Sequence, residues 1–213
     1  MHSTLFHIPT IAPRHRPVAL ALAILGLALL ILPAAQRPAE AASPIPDSPA
    51  RVAQPGCEYE WFFGTQARPV DACPSTPPIS TALARLEFER GEMIWVQAEQ
   101  AIYVLFRDFQ APYWASYPDT FLEGTPEREA GLVGPLGLWQ QPRRGFGQLW
   151  REDAAVNERL GWALYEWEAS YEGWLQKAET AEGTLVFFMR DDNKVYQLHP
   201  GPEGIWELFT FLG

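Results

Sequence analysis

The chain has only two cysteines in 213 residues, and one histidine, His199, beyond residue 41. One histidine cannot supply the usual zinc ligand set. A Ser-His-Asp arrangement would also have to rest on His199, which stands between an apolar run and the turn-forming stretch 200–204, "PGPEG". No G-x-S-x-G elbow occurs, so nucleophilic hydrolysis lacks its parts. The short glycine runs "GPLG" and "GFG" have no strand before them and no Lys-Ser after them, so nucleotide phosphates have no cradle. The stretch 190–194, "RDDNK", lacks the alternating ligands and final glutamate of a calcium hand. It reads instead as a hairpin turn.

Basic charge is also scarce. Sixteen Lys and Arg stand against 26 Asp and Glu, a net charge of −10, which makes nucleic acid and anionic membrane surfaces poor partners. Only one long apolar run exists, "VALALAILGLALLIL" at residues 18–32, preceded by Arg14, His15 and Arg16 and followed by "AEA" ending at Ala41. Positive flank, apolar stretch and small-x-small site are the parts of a secretory signal peptide, with cleavage expected after Ala41. The other reading is an uncleaved anchor, since residues 18–35 give a span of about 18 residues, close to what a bilayer needs. Both readings place the rest of the chain outside the cytoplasm, secreted or at the cell surface, and membrane contact then runs only through residues 18–35. Losing residues 1–41 removes Arg14, Arg16 and Arg37 against Glu40 alone, leaving 13 basic and 25 acidic residues.

Cys57 and Cys73 both fall in the exported part. In an oxidising compartment a disulfide is the default, worth about 3 kcal/mol for a loop of this size. Two free thiols or a metal pair are the alternative. Residues 42–56, "ASPIPDSPARVAQPG", form a Pro-rich tether.

What is abundant is aromatic: all nine tryptophans lie after the tether. The segment "GEMIWVQAEQAIYVLF" from Gly91 parallels "GTLVFFMRDDNKVYQLH" from Gly183. Each is a glycine, an apolar strand, a polar turn and a second strand with a tyrosine, Tyr103 or Tyr196. That is a hairpin pattern given twice. Trp114 and Trp206 follow in "YWASY" and "IWELF", each reading as a further strand. Before the second hairpin, Phe146, Leu149, Trp150, Val156 and Leu160 keep helical spacing. Asp153 is positioned to cap the second helical turn, and Gly161 to stop it in a left-handed conformation with Trp162 folding back. The first copy has no room for such a helix, and the Cys57–Cys73 loop is expected to replace part of its packing. The fold class expected is α+β: two related small units, each an antiparallel β-meander of three or four strands, with helical turns only before the second. The first unit covers 57–118, a linker 119–144, and the second unit 145–213.

These elements, Gly145 to Gly147 with Trp150, "LGWA" at 160–163, "FERGEMIW" at 88–95 and "IYVL" at 102–105, resemble the LGFP-type repeats of bacterial envelope proteins. They are also similar, in the same order, to a set of exported bacterial proteins carrying GFG..W, LGWA, FERG.M.W and IYVL. Trp162-Ala163 stand where the repeat has Phe-Pro, and the first copy lacks the motif. The resemblance implies envelope association or a non-catalytic binding role.

Carboxylates at Glu87, Glu89, Glu92, Glu166 and Glu168 alternate as they do on the solvent face of a strand, rather than as an acid/base pair. Trp95, Trp150, Trp162, Trp174 and Trp206 are expected to include core residues. Trp61, Trp114, Trp139 and Trp167 lie in loop-like or polar contexts and are the candidate ligand-binding residues, since exposed aromatic surface marks contact sites. The reading is an exported, non-catalytic module for envelope polysaccharide or another cell-surface ligand, with no cofactor and no metal. Behind it stand a membrane-anchored structural or protein-interaction module of unknown partner, and a hydrolase third. Oligomeric state is not encoded in any of these features.

Overall fold

The computed structural model describes residues 56–64, 70–135 and 140–210. The expected signal or anchor, the tether up to residue 55, and Trp139 lie outside the described residues. The class is α+β: eight antiparallel strands form one sheet, accompanied by two helices. The strands are β1 (Ile79–Phe88), β2 (Gly91–Val96), β3 (Ala101–Phe106), β4 (Trp114–Pro118), β5 (Ala169–Thr180), β6 (Gly183–Met189), β7 (Lys194–Leu198) and β8 (Trp206–Thr210). Their order is β4-β3-β2-β1-β5-β6-β7-β8, so two four-stranded meanders lie back to back through the β1–β5 pairing. Both glycine-led runs of the sequence open strands, β2 and β6. Gly91 is required by close approach, because a Cβ there would strike the Leu105 carbonyl and the Leu160 side chain. The β6–β7 turn carries Asn193 at φ 58°, and the β2–β3 turn carries Gln100 at φ 47°, a backbone region that Asn tolerates better than most residues.

The sheet is strongly curled. Glu92 on β2 and Tyr196 on β7 are four strand positions apart, about 19 Å in a flat sheet, yet the Tyr196 hydroxyl donates to Glu92 Oε2 at 2.7 Å. The edges approach each other through two reciprocal bonds. Trp114 Nε1 on β4 donates to the carbonyl of His199, just past β7, at 2.8 Å, and Trp206 Nε1 on β8 donates to the carbonyl of Phe106, the end of β3, at 3.1 Å. Leu83, Ile94, Leu105, Leu175, Val186 and Phe188 fill the concave side.

Each convex half has its own cover, and the covers cross over. Helices α1 (Arg144–Glu152) and α2 (Ala154–Leu160) precede the second meander but bury Phe146, Trp150, Val156 and Leu160 on Leu86, Phe88, Met93 and Val104 of the first. The segment bridged by Cys57–Cys73 precedes the first meander but buries Trp61, Phe62, Phe63 and Val70 on Ala178, Leu185, Phe187 and Val195 of the second. The disulfide loop therefore packs on the other meander from the one expected. Each large apolar side chain so buried contributes about 2 kcal/mol. Gln176 fixes the segment: its Oε1 accepts from Phe62 N, and its Nε2 donates to the carbonyls of Glu60 and Thr76, each at 2.9 Å.

Asp153 caps α2, its Oδ1 accepting from Ala155 N and Val156 N at 2.9 and 3.0 Å. Gly161 ends α2 at φ 74° but ψ −152°, outside the left-handed helical region expected. A glycine is needed for a second reason as well: the Glu89 carboxylate occupies the space of a Cβ and accepts from Trp162 N at 2.8 Å. Trp162 then folds back on Trp150, ring centroids 5.1 Å apart.

Candidate functional site

The register of the central strands sets the floor of a cleft on the convex side. Ala84 lies between Trp95 on β2 and Ser170 on β5, and two small side chains beside a tryptophan leave space that no neighbour fills. Phe121 and Phe146 close the sides, and the start of α1 overhangs it with Arg143 and Arg144; the volume is about 180 Å³. The first turn of α1 carries no acidic residue and no side-chain cap. Asp119 comes in from the loop after β4 instead, its carboxylate seated where a Cβ on Gly145 would be, so negative charge faces the positive helix end.

Around this cleft the charges are interlocked. Arg143 donates to Glu166 and lies 3.6 Å from Glu127. Arg144 pairs with Glu127 at 3.2 Å and Glu168 at 3.6 Å, and Arg128 with Glu166 at 3.2 Å. The hydrogen bond to Glu127 raises the Arg144 pKa. The Arg143 guanidinium also lies 3.7 Å from the ring centroid of Trp167, a cation–π contact that fixes the indole plane. Trp167 remains 55% exposed and its neighbour Tyr165 58%. A second, more open cleft of about 450 Å³ contains Trp167, Tyr165, Arg85 and Glu87 and meets the first at Glu168.

Under the second cleft, at one mouth of the curled sheet, is a buried charged group. Glu92 has no exposed surface; Arg107 and Tyr196 donate to it, and Arg85 lies 3.6 Å away. The expectation of a solvent-facing strand is corrected for Glu92: the concave face closes over it. Burial, then Glu92, raise the Tyr196 pKa. Arg85 also pairs with Glu87 and, at 3.1 Å, with Asp191. These partners outweigh the burial that opposes its charge, and its pKa is raised. The opposite mouth has a smaller group, Glu99 accepting from Tyr103 and pairing with Lys177. Burial and then the Glu99 bond raise the Tyr103 pKa.

Of the tryptophans singled out by sequence that lie among the described residues, Trp61, Trp114 and Trp167, only Trp167 lines one of the two clefts. Trp61 is 1% exposed, in contact with Phe63 and Phe187 at 5.3 and 4.6 Å. Its apolar neighbours Phe62 and Phe63 bury it, and an indole in that position is closed to a ligand. Trp114 is half-buried and its N–H is used by His199. Trp139 lies outside the described residues. Trp95, Arg143, Glu166 and Glu168 also line the clefts and are not among the ligand-binding candidates that the sequence singles out. The signal for them was the stretch 165–168, "YEWE", directly after the helix stop, with two arginines at 143–144. Among the described residues no group of His, Cys, Asp and Glu converges as a metal site would.

No family model, curated protein or solved structure matches the chain.

Proposed function

We propose that this protein is an exported, non-catalytic binding module, built from two related meander units, whose ligand is a cell-envelope polysaccharide held along the clefts at Trp95 and Trp167. The observation that carries this reading is the geometry of Trp167. One face of its ring is braced by Arg143, itself held by two glutamates, while more than half of the residue faces solvent. A flat, rigid aromatic face ringed by hydrogen-bonding groups suits a sugar ring, which offers C–H faces and hydroxyl edges, and a braced ring loses little freedom on binding. The resemblance to LGFP-type repeats supports the envelope setting.

Binding of the oxidised protein to a panel of envelope polysaccharides, read by tryptophan fluorescence, tests this. Trp167→Ala is expected to abolish saturable binding, whereas Trp174→Ala, at another exposed indole, is expected to leave it intact. Absence of binding across the panel favours a membrane-anchored interaction module. One observation speaks for that second reading. Phe109 is 92% exposed at φ 60°, on a loop clamped by Arg159 through Asp108 at 2.6 and 2.9 Å and through the Pro112 carbonyl at 3.0 Å. A rigidly presented phenylalanine suits a protein contact.

A further inference from the structure

We propose that the ligand is an electrically neutral chain of several sugar units spanning both clefts across Glu168, and neither a single sugar nor an acidic polymer. The inference rests on the binding reading above and narrows it.

Size decides against the Trp95 cleft acting alone. The Trp95 cleft, at about 180 Å³, falls below the roughly 300–1,000 Å³ of pockets that hold a small ligand by themselves. The second cleft is larger, about 450 Å³, but more open and lined by only seven residues, so by itself it encloses little of a ligand's surface. From Trp95 to Ser170 is two strand spacings, about 10 Å, and Trp167 lies three residues before Ser170, in the bend that leads into β5. The two aromatic residues therefore stand on the order of 10 Å apart, with Glu168 common to both clefts. Weak contacts at such a separation add when one molecule makes them together, because the second is then intramolecular.

Charge decides against an acidic polymer. Every arginine at the clefts is already engaged: Arg143 by Glu166 and Glu127, Arg144 by Glu127 and Glu168, and Arg85 by Glu87 and Asp191. Asp119 and Glu123 add further carboxylates to the wall of the first cleft. A polymer bearing a carboxylate or phosphate on each unit would meet like charge in a chain of net charge −10 and gain no unengaged cation in return.

Calorimetric titration of the full, oxidised protein tests both parts. The probes are neutral oligomers of glucose, mannose, galactose and N-acetylglucosamine, each from the single sugar upward, with galacturonic acid oligomers of matched length beside them. For at least one neutral series affinity is expected to rise by about tenfold or more from single sugar to longer oligomer, and the acidic series to bind about tenfold more weakly or worse. Trp167→Ala is expected to bring the longest oligomer down to the affinity of the shortest. Ser170→Tyr, which fills the first cleft from an exposed position, is expected to do the same from the other end. Both substitutions are on the surface, and an unchanged thermal midpoint confirms folding. Equal affinity at every length overturns the chain-length inference and leaves the binding reading standing. Equal binding of the acidic series overturns neutrality. No binding by any oligomer overturns the binding reading itself.

Discussion

The two meanders, β1–β4 and β5–β8, share strand count, turn positions and the reciprocal bonds of Trp114 and Trp206, but they differ in what they bury. Under the alignment that sets Gly91 on Gly183, Glu92 falls on Thr184, and Arg85 on Lys177 by the same offset. The arginine belongs to the group around a fully buried carboxylate, whereas the lysine, 31% exposed, meets Glu99, 19% exposed, near the opposite mouth. The lesson is that the scaffold accepts a charge at either mouth, but buries one completely only where Arg107, Arg85 and Tyr196 converge on it.

The largest effect expected follows from that difference. Glu92→Ala leaves the buried Tyr196 hydroxyl and the Arg85 and Arg107 guanidiniums facing one another and should cost about 3–5 kcal/mol, whereas Glu99→Ala at the more open mouth, which leaves one buried hydroxyl unpaired, should cost about 1–2 kcal/mol. Urea unfolding measures both, and equal losses would erase the distinction between the mouths. Next is the disulfide. Its removal by Cys57→Ser with Cys73→Ser should cost about 3 kcal/mol. Because the bridged segment covers the second meander, hydrogen exchange should quicken in β5–β7 well before β1–β3. Faster exchange in the first meander instead would show that the crossed covers do not govern local stability.

Alkaline pH sharpens the comparison from both sides. Tyr103 and Tyr196 have folded pKa values raised above the ordinary tyrosine value, each by burial and then by a bonded glutamate. The neutral phenols favour the folded state, so their stabilisation is complete below pH about 10 and declines above it, where the unfolded chain ionises and the folded one does not. An ultraviolet titration should find both phenols silent until the protein unfolds. Ionisation of Tyr103 in the folded state, with Tyr196 still silent, would mean that only the closed mouth excludes the phenolate.

How much of this could be read from sequence follows from which interactions are local. The hairpins were legible because a glycine, an alternating run and a polar turn lie within twenty residues, and Asp153 because a cap acts three residues away. The crossed covers were not, since nothing in "EWFFG" states whether Trp61 meets Phe187 or a strand of its own half; only the back-to-back pairing of β1 with β5 decides that. Glu92 was misplaced for a related reason. Alternation says which residues share a face, but a face becomes wet or dry only once the sheet has curled. Trp167 stands out by its polar neighbours, and one of them, Glu166, holds the arginine that braces it. The partner Arg143 lies 24 residues upstream, beyond any local pattern.

The smallest effect concerns what the two halves hold in common. Trp114→Phe and Trp206→Phe each keep an aromatic ring and delete one N–H donor, leaving the carbonyl of His199 or Phe106 to find water. Each should cost about 1 kcal/mol. The informative quantity is their sum. If the curl is held by packing of Leu83, Ile94, Leu105 and Phe188, the two losses add, because neither bond depends on the other. If the two bonds together clasp β4 against β8, the first substitution lets the edges part and the second then costs less. A coupling above about 0.5 kcal/mol in the double variant would show that the edges close as one unit. Strict additivity would assign the curl to the concave core, with the tryptophans recording the matched ends of the two meanders.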